Sequence, residues 1–116
     1  MLRPKKRIPL DYSLCTMTVT VYRREGLTRE VVEGVHFEFT DELRTENGRS
    51  TETRGFLLVI PGIFGIEPGD KVALGVGPAD IPWESLTPAL VPDLAVVKTV
   101  KPRFFRGMPC HVEARG

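Results

Sequence analysis

Residues 17–24, MTVTVYRR, decide the fold class. Met17, Val19 and Val21 alternate with Thr18, Thr20 and Tyr22, and five of the six residues are β-branched or aromatic. Period two in such residues marks a half-buried strand. Glu25-Gly26-Leu27-Thr28 supplies a turn, and a second alternating run follows with Val35, Phe37 and Phe39 opposite His36 and Glu38. The two runs predict a hairpin, and Gly34 inside the second predicts a bulge or bend.

Working outward, residues 56–60 (FLLVI) read as a buried strand stopped by Pro61-Gly62. Glu67-Pro68-Gly69-Asp70 has the residues of a type II turn and feeds a short strand over 71–76. Residues 94–104 and 109–114 predict a last hairpin around Arg106-Gly107. The expected core is Val19, Val21, Val35, Phe37, Leu57, Val59, Val72, Leu74, Val96 and Val100, with Thr18, Thr20 and Glu38 outside. About six short strands joined locally, with hardly any helix, predict an all-β fold, a small antiparallel barrel or sandwich.

Three segments lie outside this scheme. Residues 1–14 read as an extended basic arm, in which Pro4 and Pro9 exclude a helix. Residues 40–54, TDELRTENGRSTETR, hold a single apolar side chain, Leu43. They predict a long polar loop or a two-strand flap turning at Asn47-Gly48. A Pro-rich connection covers 77–93, where Pro78, Pro82, Pro88 and Pro92 limit any helix to a turn or two near Trp83–Leu90. Residues 15–116 therefore make one barrel domain carrying this flap and this connection.

The 116 residues carry 16 Lys+Arg against 15 Asp+Glu, a net charge of +1. That length suits one domain with a modest core. The charge is uneven: residues 1–10 carry +4 with no acid, and residues 25–52 carry eight acids and three bases. Lys98, Lys101, Arg103 and Arg106 form a second basic cluster. An acidic middle between basic ends predicts faces that meet different partners. A dedicated nucleic-acid binder would need a clear basic excess. The longest apolar stretch, 56–60, is too short to cross a bilayer, so no membrane contact is expected. No secretory h-region opens the chain, so synthesis in a cytoplasm is expected.

No nucleophile–base, phosphate-loop or dinucleotide motif occurs, so the chain reads as no enzyme and as needing no cofactor. Cys15, His36, Cys110 and His111 lack the close spacing of a zinc site. Cys15 and Cys110 read as half-buried free thiols. Phe104, Phe105 and Met108 beside the basic cluster suggest base stacking, but consecutive aromatics suit a hairpin that buries one Phe better. Trp83 reads as a plug over the barrel mouth.

In order along the chain, VTVYRR (19–24), GVHFE (34–38), VIP (59–61), PGDKVALG (68–75), VVKTV (96–100) and MPCHVEARG (108–116) resemble the small minor capsid proteins of tailed bacteriophages, of the head-completion or stopper type. Phe37 stands where that family commonly has Trp, and Val112 replaces a Trp expected beside His111. The resemblance implies a β-barrel that forms a homo-oligomeric ring at the head–tail interface of the virion. Portal-adaptor proteins would lie above it and tail proteins below, with an inward loop that closes the DNA channel.

On that reading the channel loop is Asp41, Glu42, Arg44, Glu46, Asn47, Gly48, Arg49, Glu52 and Arg54, in transient, non-specific contact with passing double-stranded DNA. Ring docking falls to Arg3, Lys5, Lys6, Arg7, Lys98, Lys101, Arg103, Phe104 and Phe105. The alternatives are a tail-completion or terminator ring protein, or a small-barrel nucleic-acid or ligand-binding module.

Overall fold

The structure is a computed structural model that describes residues 12–116; the side chains of residues 41–44, 46 and 51–53 lie outside the description. Seven strands run in the order β1 Met17–Tyr22, β2 Arg29–Glu46, β3 Arg49–Pro61, β4 Lys71–Leu74, β5 Ala95–Val96, β6 Thr99–Phe105 and β7 Met108–Arg115. They form one curled antiparallel sheet, β5-β4-β1-β2-β3-β7-β6, which makes a half-barrel. Its two edge strands are consecutive in the chain. Across the link, the Val97 N–H donates to the Asp70 carbonyl and the Lys98 N–H to the Arg115 carbonyl, both at 2.8 Å. One stretch of chain therefore fastens both edges of the sheet.

The turns follow their residues. Gly34 has φ 75° and is the extra residue where pairing shifts from Met17↔Val35 to Thr18↔Glu33. That is a glycine bulge, and it sharpens the twist of β2. Asn47-Gly48 (φ 52° and 74°) and Arg106-Gly107 (φ 53° and 78°) both hold positive φ at the two central positions of tight hairpins. Gly69 has φ 97°, and the Asp70 N–H closes the turn on the Glu67 carbonyl at 3.1 Å. The buried Asp70 carboxylate also accepts the Glu67 and Arg24 N–H groups, at 2.9 and 3.0 Å.

Val19, Val21, Val35, Phe37 and Val72 are buried inside the curl as the alternation predicts. Strand β3 has the opposite phase to the expectation: Phe56, Leu58 and Ile60 face the core while Leu57 and Val59 are half-buried on the other side. Leu74 and Val96 are also outside, 45% and 47% exposed. Val97 turns inward instead, at the point where the chain changes edges.

The second correction concerns Thr20, which is fully buried although it points away from the main core. The connection 77–93 packs over that outer face. Tyr22, Ala73, Leu86, Val91 and Leu94 form a second apolar cluster there, with Trp83 packed at its margin. The Thr20 hydroxyl donates to the Gly75 carbonyl at 2.8 Å and accepts the Gly77 N–H at 2.7 Å. The Tyr22 hydroxyl donates to the Pro78 carbonyl at 2.8 Å. A Cβ at position 77 would collide with that tyrosine, so the crossing needs glycine. The only helical turn in this connection is Trp83–Ser85, whose indole lies 4.3 Å from the Lys71 ammonium. Trp83 covers the outer cluster rather than a barrel mouth.

Candidate channel ribbon and docking surface

Residues 40–54 form a two-strand ribbon and not a loop. The register runs without a break from Thr40↔Gly55 through Asp41↔Arg54 and Arg44↔Thr51 to Glu46↔Arg49. Seven residues of β2, Thr40–Glu46, reach about 23 Å beyond the sheet at the usual rise per residue. Asp41, Glu42, Arg44 and Glu46 lie on β2; Arg49, Glu52 and Arg54 lie on β3. Asn47 and Gly48 make the tip. The root of the ribbon is closely packed. There a Cβ on Gly55 would sit 2.6 Å from the Gly116 carbonyl and 2.9 Å from the Thr40 hydroxyl.

Arg54 fixes the ribbon's root. Its guanidinium lies 3.6 Å from the Phe39 ring centroid and 3.3 Å from the Asp93 carboxylate. One side chain thus ties β2, β3 and the Pro-rich connection together. Beside it opens a cleft of about 550 Å³ lined in part by Phe39, Pro88, Pro92 and Lys98.

The second region is the end of the β6–β7 hairpin. β7 residues 112 and 114 bond toward β3, as shown by the flanking pairs Gly62–Cys110 and Phe56–Gly116, so 111, 113 and 115 bond toward β6. Val100 and Pro102 therefore present their backbone to the free edge. Proline at an outward position leaves no donor there, which blunts the edge against pairing. Lys101 and Arg103 lie on this strand and are exposed. Phe104 is 61% exposed, and Phe105 is half-buried with the Arg106 guanidinium 5.3 Å from its ring centroid. The hairpin buries neither phenylalanine.

Residues 12–14 are not extended. The Cys15 N–H closes a turn on the Tyr12 carbonyl at 3.0 Å. From this turn the Tyr12 hydroxyl reaches Nδ1 of His111 at 2.7 Å, and the rings meet edge to face at 5.6 Å. His111 is 3% exposed, and its Nε2 lies 2.9 Å from Oε2 of Glu113. Oε1 of Glu113 meets Arg103 at 3.2 Å and Arg115 at 3.5 Å.

Burial acts to raise the Glu113 carboxyl, but its hydrogen bonds to His111 and Arg103 outweigh that and hold it below the ordinary value. An ionised Glu113 only accepts, so His111 donates its Nε2–H to it, and in that tautomer Nδ1 accepts from the Tyr12 hydroxyl. Tyr12 is pushed above the ordinary tyrosine value by desolvation, then by the charges of Cys110, Cys15 and Glu113. A phenol shifted that way is a hydrogen-bond donor and not an activated nucleophile.

Arg3, Lys5, Lys6 and Arg7 lie outside the described residues. Among the described residues no group of three His, Cys, Asp or Glu side chains is placed to hold a metal, and no helix is long and apolar enough to cross a membrane. The residue that sequence reasoning missed is Tyr12; a lone tyrosine in an arm without alternation carries no periodic signal. Compared with family models, curated proteins and solved structures, the chain matches none.

Proposed function

We propose that this chain is a structural, non-catalytic protein of the neck of a tailed bacteriophage. In this reading it is a stopper-type ring that bridges portal-adaptor proteins to tail proteins and helps to retain packaged DNA. It is made in the host cytoplasm and ends in the virion at the head–tail interface. What supports the reading is the ribbon: a two-strand extension whose sequence is polar apart from Leu43, anchored at its root by Arg54.

The ribbon's charges suit a channel. Asp41, Glu42, Glu46 and Glu52 oppose Arg44, Arg49 and Arg54, a net of −1. A ring of strongly basic ribbons would hold phosphates through counterion release and impede sliding DNA. Near-balanced ribbons touch DNA only transiently. With Leu43 the one apolar residue of the segment, moving the ribbon exposes no core. Symmetric copies meeting on an axis close a lumen with few contacts each.

The test is to shorten the ribbon to Asn47-Gly48 between short flanks and measure DNA retained in heads before tails join. The expected result is normal entry into the ring with leakage of packaged DNA. Failure of the shortened chain to enter the ring makes the ribbon an assembly clasp and overturns its gating role.

A further inference from the structure

Charge in this barrel is sorted onto two surfaces. Residues 98–116, which include the β6–β7 hairpin, hold Lys98, Lys101, Arg103, Arg106 and Arg115 against Glu113 alone, a net of +4. The connection 77–93 holds Asp80, Glu84 and Asp93 and no base, a net of −3. Lys101 and Arg106 on the first surface, and Asp80 and Glu84 on the second, are exposed. None of these four enters an ion pair among the described residues.

The two surfaces face away from each other. Around the curl, β2 on one side and β5 and β6 on the other separate β4–β1 from β3–β7. The connection lies over the outer face of β4–β1, where Leu86 and Val91 are buried. On the opposite wall the register sets Val59, Glu113 and Lys101 in one row and Leu57, Arg115 and Thr99 in the next. Both rows point outward, because Leu58, Ala114 and Val100 between them pack in the core.

Each surface also carries half of an apolar contact. Leu90 stands out of the connection, 65% exposed, while Val91 beside it is buried. On the opposite wall Tyr12, Leu14, His36, Val59 and His111 line part of a cleft of about 340 Å³, and Leu14 is 80% exposed. Large exposed apolar side chains rimmed by polar groups mark contact sites for another macromolecule.

We infer that the connection 77–93 of one copy docks on the outer face of β3–β7–β6 of the next, with Leu90 in the cleft beside Leu14 and Val59, and Asp80 and Glu84 against the cations of the β6–β7 hairpin. The occupant is a second copy because one chain carries both halves: acids with an apolar knob on one wall, cations with an apolar cleft on the other. Contacts between different surfaces on opposite walls run head to tail and close into a ring where the rotation permits. This contact gives the ring of the neck reading above its subunit interface and rests on that reading.

The experiment measures self-association of the full chain by sedimentation velocity at low and high salt. The unaltered chain is expected to associate, and to do so more weakly as salt rises. Lys101→Glu/Arg106→Asp and Asp80→Asn/Glu84→Lys are each expected to weaken association about ten-fold. Asp and Asn suit the positive φ of positions 106 and 80. Leu90→Ser is expected to weaken association while keeping its salt dependence. An equimolar mixture of the two charge variants offers the native pairing at every second contact and its reverse at the others. It should recover association to within about three-fold of the unaltered chain, which also shows that both variants fold.

A chain that stays monomeric at millimolar concentration, association that neither charge variant weakens, or variants that do not recover on mixing overturns the inference. So does binding of a short DNA duplex at Lys101 and Arg106 in preference to a second copy, which makes the occupant a nucleic acid. Association untouched by these variants leaves a ring built on other contacts, and the neck assignment is read from particles, so the two fail separately.

Discussion

The Tyr12 hydroxyl lies 2.7 Å from Nδ1 of His111, 99 positions later in sequence, and this bond sets where the N-terminal arm joins the barrel. It ties Tyr12 to β7, the strand that closes the basic hairpin. Tyr12→Phe removes the hydroxyl but keeps the edge-to-face ring contact. The expected cost is about 1 kcal/mol, read by urea denaturation. A spectrophotometric titration at alkaline pH should also lose a tyrosine that titrates above the ordinary value. Because the folded state raises the Tyr12 value, this group stabilises below the unfolded tyrosine value near 10 and loses that contribution as pH rises through the folded one.

Glu113 makes the opposite prediction. Its folded value lies below the unfolded one, so its contribution is present above the unfolded carboxylate value near 4.5 and disappears as pH falls through the folded value. Glu113→Gln should flatten the stability profile on that acid limb and leave its shape at neutral pH little changed. An acid limb identical in the two proteins would contradict the Glu113–His111–Arg103 network.

Phe37 is 4% exposed, stacked on Phe56 at 5.5 Å and edge-on to Phe39 at 5.0 Å. Phe37→Ala should cost about 3–5 kcal/mol, measured by chemical denaturation. A loss below about 1 kcal/mol would place this ring outside the core.

Thr20→Val keeps shape and burial but strands the Gly77 N–H and the Gly75 carbonyl under the Pro-rich connection. The expected loss is about 1–3 kcal/mol. Thr18→Val, on a half-buried position of the same strand, serves as the control.

Arg54→Ala should leave the melting of the barrel nearly unchanged, since both its partners are at the surface or half-buried. Amide exchange in residues 40–54 should accelerate, because a ribbon two strands wide is marginal without an anchor. Uniform acceleration across β1 and β7 would mean that Arg54 braces the barrel instead.

Local rules account for what the sequence revealed. Alternation located β1 and the inward face of β2, and Gly34, Asn47-Gly48, Glu67–Asp70 and Arg106-Gly107 each named their turn through the conformations their residues allow. The phase of β3 was not legible because FLLVI is apolar at every position, so period two has nothing to act on; long-range pairing with Ala114 and Val112 chooses Leu58 and Ile60. Alternation places Thr20 outside the barrel core, but it assigns a side and not what covers that side. Of the candidate sites, sequence located the ribbon and the basic hairpin. The Tyr12–His111 bond depends on a contact between the two ends of the chain that no local pattern encodes.

Electron-microscope imaging of the particle that carries this chain, with a label inserted after the exposed Ala89, tests the neck assignment most directly. The prediction is a single ring of label at the junction of head and tail, with the 40–54 ribbons directed toward the axis. Label spread over the capsid shell, confined to the distal tail or missing from the particle would contradict it.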